Sequence, residues 1–465
     1  MDGQTPLPLA NLRLADLQAD VLGGLLKLHE QFGPVAGVQD GALRVLFSFD
    51  PLYNKQMLSD VQAFNARFFA IRGPKRSSQR RVTCGLLAMN GDQWKRNRRM
   101  VKEPFSLRQI ASYKPTIARL AEETASSWTD GQAIDLNEEM TRYLLRVTST
   151  ILFGMDESPE ERNLAYEVGE QIAEWALLNH QLGVGALVPD TAFNEGYERL
   201  LAFSEQLESQ VMRLITRRRE GAGDGNDVLS ILVRSHDDQG GLTDEELVGQ
   251  SCVLFGAAHM TTAHSLTWTL TLLAQHPEVR RALDEHYAKA GAADEEPGRA
   301  DPNSLPERVI REGMRLLPAS SYSQRINTEP VDFGPFKQVP RGTPMVFSPL
   351  ITHRLERLYP NPKRFDPDRW LTIKPSAYEY LPMGAGPRLC IGGPLAMEVI
   401  RMSIPRLLAG RTFRVEPGSD VSAEIRSTML HPTHGVPMTL HDIGVGHEAS
   451  SIRGNVPGEL VEMPS

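Results

Sequence analysis

A chain of 465 residues, 41% hydrophobic and 23% charged, has the makeup of a globular protein with ample material for a large core. Its formal net charge of −8 argues against nucleic acid as a general partner. Three widely separated cysteines, Cys84, Cys252 and Cys390, do not read as a disulfide framework and point to a reducing, cytoplasmic setting.

The opening stretch "MDGQTPLPLANLRL" lacks a basic run followed by an apolar core, so neither a signal peptide nor a membrane anchor is expected. The next stretch, "LADLQADVLGGLLKLHEQFG", sets Leu14, Leu17, Val21, Leu25 and Leu28 on one face and predicts an amphipathic helix. Between Arg72 and Lys102 stand Arg72, Lys75, Arg76, Arg80, Arg81, Lys95, Arg96, Arg98, Arg99 and Lys102 against Asp92 alone. That cluster reads either as a solvated helix face with its loop or as a docking patch for an acidic protein. Helical periodicity then dominates from about 90 to 290.

Within it, "VLFGAAHMTTAHSLTWTLTLLA" carries His259, Thr261, Thr262, His264 and Ser265 in its middle, which argues against a membrane span. This run belongs to a helix that starts at a capping box, Thr243 with Glu246, and reaches His276, where Pro277 stops it. At about 50 Å long, so apolar a helix must cross the middle of the domain rather than coat it. Its small, polar centre "GAAHMTTA" has two readings. Either something bulky lies flat against it, or two helices cross tightly there, with each threonine bonded to the carbonyl one turn back. From Arg325 to Pro349 short extended pieces with Gly and Pro punctuation predict a small sheet. The expectation is a mainly α chain with a small β region: one domain over 1–445, then a polar, Gly/Pro/Glu-rich mobile tail at 446–465.

Near the C-terminus, "YLPMGAGPRLCIGGPLA" sets Cys390 among glycines and prolines just ahead of a helix, whose N-terminal dipole favours a thiolate. Neighbouring N–H groups can tune the sulfur, and Arg388 can lie beside an anion. A lone thiolate on a glycine-padded loop suits an iron ligand on one face of a planar, carboxylate-bearing macrocycle. Nucleophilic catalysis is the rival, and it would want a histidine base that is not near in sequence.

That loop resembles the haem-binding signature of the cytochrome P-450 haem-thiolate monooxygenases, F-x-x-G-x-R-x-C-x-G, read here as Met383, Gly386, Arg388, Cys390 and Gly392. Met383 replaces the signature's Phe. Further segments match in the family's order: Glu312 and Arg315 as E-x-x-R, Arg369 in "FDPDRW", and Trp94 with Arg98 in "WKRNR". The resemblance covers about residues 15–440. It implies a P-450 fold with haem b buried between the long central helix and the cysteine loop. Cys390 becomes the axial ligand of the iron, Trp94, Arg98 and Arg325 contact the propionates, and Glu312, Arg315 and Arg369 lock the core behind the loop. The basic cluster is then placed near the cysteine side, where an acidic ferredoxin would dock. It would bring electrons from NAD(P)H through a reductase, since no redox domain is fused to the chain.

The family's central helix usually reads A/G-G-x-D/E-T-T; here it is Ala257, Ala258, His259, Met260, Thr261 and Thr262. Thr261 is retained, Ala258 replaces the glycine, and Met260 replaces the acid. Protons for O2 cleavage must then come through Thr261 with water, through His259, or from the substrate. The implied activity is hydroxylation or epoxidation of a lipophilic small molecule, such as a terpenoid or other secondary metabolite, by a monomeric, cytoplasmic enzyme. Peroxide-driven or redox-neutral haem-thiolate chemistry is the alternative, and a non-catalytic haem sensor is another. By the same analogy substrate contacts are expected from Phe255, Ser320, Ser321, Tyr322 and Thr433, and from the regions 72–90 and 176–193.

Overall fold

The computed structural model describes residues 7–67, 71–154, 159–185, 191–221, 225–290, 301–442 and 446–464. Most of these are helical, and the strands form separate small sheets besides one six-stranded sheet drawn from the N-terminal region and residues 323–347.

The first departure from the sequence reading comes early. The stretch from Leu14 forms two helices, Leu14–Ala19 and Val21–Phe32, rather than one. Asp20 leaves the helical region (φ −143°, ψ 78°) and its carboxylate accepts the N–H of Gly23. A short acidic side chain competes with helix continuation by capping the next turn. Leu17, Leu25 and Leu28 still bury themselves on one face.

The β region is larger than the segment Arg325–Pro349. Six strands lie side by side in the order Leu9–Asn11, Val35–Asp40, Leu43–Ser48, Pro344–Phe347, Ser323–Asn327, Phe64–Ala66. The N-terminal hairpin thus meets the later strands through a parallel pairing that sets Leu46 opposite Met345. Arg325 sits on an inner strand, across from Met345 on one side and Ala66 on the other. A second sheet joins Arg411–Val415, Pro437–Asp442 and Ala133–Asp135.

The central helix spans Asp244–Gln275 and begins with the predicted capping box: Thr243 accepts from the Glu246 N–H, and Glu246 accepts from the Thr243 N–H. It is buried along its length and packs against Leu136–Phe153, Leu305–Leu316 and Gly393–Leu408. Between Leu247 and Gln275 only Gly256, Ala257, Ala258, Met260 and Thr261 keep accessible surface. No described helix is long and apolar enough to cross a membrane.

The C-terminal segment is not a loose tail. Val456, Leu460 and Val461 are at most 1% exposed. Its backbone pairs at isolated β-bridges, Arg453 with Asp420 and Glu462 with Arg364, while the half-buried Arg354 donates to the carbonyls of Leu316 and Leu460. Three apolar side chains in an otherwise polar run are enough to dock it.

Candidate active site

Two elements make up the candidate site: the accessible turn of the central helix and the loop that carries the accessible Cys390. The loop leaves Tyr380 and Leu381 and folds back so that the Cys390 N–H donates to the Met383 carbonyl at 2.9 Å. It then enters the helix Gly393–Leu408. Gly386 is demanded by the fold itself: its φ is +71° and a Cβ there would lie 2.2 Å from the Leu58 carbonyl oxygen. Gly392 and Gly393 differ. Added Cβ atoms would meet nothing closer than Phe105 at 3.8 Å and Met383 at 3.6 Å, so neighbouring protein atoms do not require glycine there.

Cys390 retains accessible surface, although enough protein lies around it to perturb its thiol. Burial pushes the thiol's pKa up, opposed by the amides of Gly392 and Gly393 and by the charge on Arg98. The helix-dipole argument therefore holds in sign, yet burial wins in the protein alone.

Three guanidinium groups converge beside the loop. Arg98, one turn beyond Trp94 on the helix Gly91–Val101, donates to the Leu389 carbonyl at 2.7 Å. Arg388 donates to the Met89 carbonyl and to Asn90, and its guanidinium lies 4.4 Å from the Trp94 ring centre. Arg325, 8% exposed, donates to the Gln324 carbonyl. Burial lowers the Arg325 pKa to about 10. Burial, then Arg325 and Arg98, lower that of Arg388 to about 10. Among the described residues none of the three is paired with a carboxylate, and Nε of Arg388 is buried without an acceptor. One buried and two half-buried positive charges without a carboxylate call for an anion.

Behind the loop, Glu312 is fully buried and accepts from Arg315 at 2.9 and 2.8 Å, from Arg369 at 2.8 Å and from Trp370 at 3.1 Å. The two arginines spend their remaining N–H groups on the carbonyls of His353, Pro360, Asn361, Pro362 and Arg364. The expected lock is therefore assembled.

On the central helix, Thr261 donates to the Ala257 carbonyl at 2.7 Å and Thr262 to the Ala258 carbonyl at 2.8 Å. Both readings of this helix centre hold in part. Each threonine is back-bonded, but Ala257, Ala258, Met260 and Thr261 also line open space. His259 does not: it is 2% exposed and its Nε2 lies 3.0 Å from the Thr141 carbonyl oxygen, on the far side of the helix. The expectation that it supplies protons at this turn is corrected, since one residue's advance rotates a side chain about 100° around the helix.

Among the expected substrate contacts, Phe255 is fully buried, stacked on Phe153 at 5.6 Å. Ser321 is fully buried and bonded to the Pro318 carbonyl. Tyr322 packs with Leu25, Phe47 and Ile351 under the N-terminal helices. Phe255 and Ser321 belong to the core, and Tyr322 is half-buried against it. Ser320 pairs with Met429, and Thr433 is half-buried with its amide bonded to the Ser422 carbonyl. Residues 186–190 of the expected 176–193 contact region lie outside the described residues.

The basic cluster splits in two. Arg81 pairs with Glu208 on the long helix Thr191–Glu220, away from the loop. Arg96 is taken up by Asp237 and Glu246. Lys95, Arg99 and Lys102 stay exposed, and they help line an open groove of about 840 Å³ beside Trp94 and Arg98.

Sequence reasoning missed His353, which is buried and bonded between Arg315 and Leu381. Nothing in its spacing marked it.

The cytochrome P450 family model matches residues 3–436. Among curated proteins, cyclooctat-9-en-7-ol 5-monooxygenase of Streptomyces melanosporofaciens is 30% identical over 83% of this chain and 84% of its own length. Pentalenene oxygenase of Streptomyces avermitilis is 32% identical over 75% and 78%. Among solved structures, retinoic acid-bound cyanobacterial CYP120A1 superposes with a TM-score of 0.77 at 22% identity, covering 95% of this chain and all (100%) of that one. Thiolate loop, Glu–Arg–Arg lock and crossing helix occur together in one chain matched nearly end to end, and the chain belongs to the cytochrome P450 family of monooxygenases.

Proposed function

We propose that this chain holds haem b through Cys390 and inserts one oxygen atom of O2 into a terpenoid. The observation that carries the reading is the set of three carboxylate-free guanidiniums, buried Arg325 and half-buried Arg98 and Arg388, around an accessible Cys390 thiol. They would hold a planar group bearing two carboxylates, with Arg98 beside Trp94 and Arg325 on its strand as the residues to meet the propionates. Haem, when bound, supplies the oxygen-activating chemistry, and its iron supplies the positive charge that makes Cys390 a thiolate.

The chain's own residues do the rest. The amides of Gly392 and Gly393 and the Arg98 charge stabilise negative charge on the sulfur. Thr261 keeps its hydroxyl at the open turn, where it can hold a water that delivers protons. Ala257, Ala258 and Met260 exclude bulk water and offer an apolar wall to substrate. Insertion consumes two electrons and two protons and releases one water for each oxygen atom placed. Electrons come from NAD(P)H through a reductase and an acidic ferredoxin docking at Lys95, Arg99 and Lys102, next to the exposed Leu389. The relatives named for cyclooctatenol and pentalenene oxidation support the terpenoid class.

A peroxide-driven or redox-neutral reaction is the second reading, favoured by one observation. With His259 turned to Thr141 and Met260 in the acid's place, the open turn carries no titratable side chain.

The ferric holoprotein, titrated with cyclic sesquiterpenes and diterpenes, should show a low- to high-spin Soret shift. NADPH consumption with a surrogate ferredoxin and reductase should then match product formed. Binding without NADPH-dependent product, but with product from hydrogen peroxide, would establish the second reading instead.

A further inference from the structure

The Glu312 lock and the cysteine loop are separate segments, and the His353 ring hydrogen-bonds to both. His353 follows the short helix Pro349–Thr352 and is fully buried. Its Nδ1 lies 3.2 Å from the Arg315 carbonyl oxygen, and its Nε2 lies 2.7 Å from the Leu381 backbone nitrogen. The Leu381 N–H can only donate, so Nε2 must accept. The proton therefore sits on Nδ1 and is donated to Arg315. Arg315 answers by donating to the His353 carbonyl at 2.9 Å. Burial holds the imidazole neutral, its pKa lowered to about 3.

Leu381 is where the cysteine loop begins. Its carbonyl accepts the Gly384 N–H at 2.9 Å, and the turn so formed presents the Met383 carbonyl to the Cys390 N–H. The preceding residue, Tyr380, stacks on the His353 ring with centroids 5.3 Å apart and donates its hydroxyl to the Arg311 carbonyl, one turn before Arg315. Two carbonyls of the helix Leu305–Leu316 thus anchor the loop's start, one directly through Tyr380 and one through His353.

We propose that His353, as its Nδ1–H tautomer, is a positioning residue that sets the cysteine loop against the Glu312–Arg315–Arg369 lock and so holds the Cys390 sulfur in its ligating position. The inference rests on the reading of Cys390 as the iron ligand. In that role the ring differs from a core filler, since its two nitrogens act as opposite hydrogen-bond partners to two different segments.

The test compares wild type, His353→Phe and His353→Gln as holoproteins. Phe keeps the ring and its stacking but removes both hydrogen bonds, whereas Gln can donate and accept. The ferrous–CO spectrum separates thiolate-ligated from thiol-ligated haem. His353→Phe should raise the thiol-to-thiolate ratio by about tenfold, equivalent to about 1.4 kcal/mol and within the range for the two hydrogen bonds removed. His353→Gln should return most of the signal to the thiolate form. In wild-type protein, 15N spectra should place the proton on Nδ1, and the Leu381 amide should exchange slowly; neither measurement needs a variant to fold. A His353→Phe spectrum like wild type, or a proton found on Nε2, overturns the proposal. A wild type with no thiolate-type spectrum would overturn the Cys390 reading instead.

Discussion

His259 Nε2 and the Thr141 carbonyl oxygen are 3.0 Å apart, so the imidazole of the central helix is tied to the neighbouring helix Leu136–Phe153 and turned from the open face. Its second contact is the Phe255 ring, 5.7 Å away and itself in the core. His259→Leu should therefore cost about 1–2 kcal/mol of stability through the unpaired Thr141 carbonyl. Product formed per electron consumed should stay at the wild-type value, and a fall in that ratio with unchanged unfolding would restore His259 to proton delivery.

Met260 faces the same open turn as Thr261. Placing a carboxylate there with Met260→Glu should raise product per NADPH by a few-fold if proton supply limits coupling, and should change the solvent isotope effect. Were both quantities to stay unchanged, water held by Thr261 would already be sufficient.

The Arg325 guanidinium is buried with no carboxylate partner, so its effect should change sign with cofactor content. Arg325→Met should leave the apoprotein as stable as wild type or more so, because an uncompensated buried charge is removed. The same change should weaken haem retention by about 10–100-fold, the loss of a charge-assisted hydrogen bond of about 1.5–3 kcal/mol. Urea unfolding of the apoprotein and haem transfer to apomyoglobin measure the two arms. Parallel losses in both would show that Arg325 is a packing residue only.

The docked C-terminal segment should contribute to stability as a core element. Leu460 is fully buried, and its carbonyl receives Arg354. Leu460→Ala should cost about 2–5 kcal/mol, read from chemical unfolding. A change below about 0.5 kcal/mol, usual for surface sites, would mean that the segment does not stay docked.

Two histidines set a pH dependence. Burial lowers the pKa of His353 and of His264 to about 3, with Arg315 adding to the first and His431 and His259 to the second. Unfolded, each titrates near 6.5. Above that pH neither state is protonated and stability is fully present. Between about 6.5 and 3 only the unfolded chain takes up the proton, so stability falls as pH falls. Each ring should add about 1.4 kcal/mol per pH unit to that slope. His264→Leu should reduce the slope by this amount between pH 6 and 5, and an unchanged slope would place His264 in contact with solvent.

Much of the site was legible in the sequence because its signals are local. Glu312 and Arg315 lie three apart and share a helix face wherever that helix sits. Thr243 and Glu246 cap a helix through bonds within one turn. Cys390 precedes a helix N-terminus by sequence alone. These readings needed only short-range geometry, and the family resemblance ordered them along the chain.

What the tertiary structure alone decided was direction and partnership. Whether His259 or Thr261 faces the open space depends on how the central helix is rotated, and that rotation is set by packing against helices over 100 residues away in the chain. Arg81 and Arg96 read as free charges until Glu208, Asp237 and Glu246 come to meet them. The polar tail became an ordered element because three apolar side chains found a surface that no local pattern describes. His353 gained its role only when Arg315 and Leu381 arrived on opposite sides of one ring. Local spacing determines which residues share a face, and long-range burial determines what that face meets.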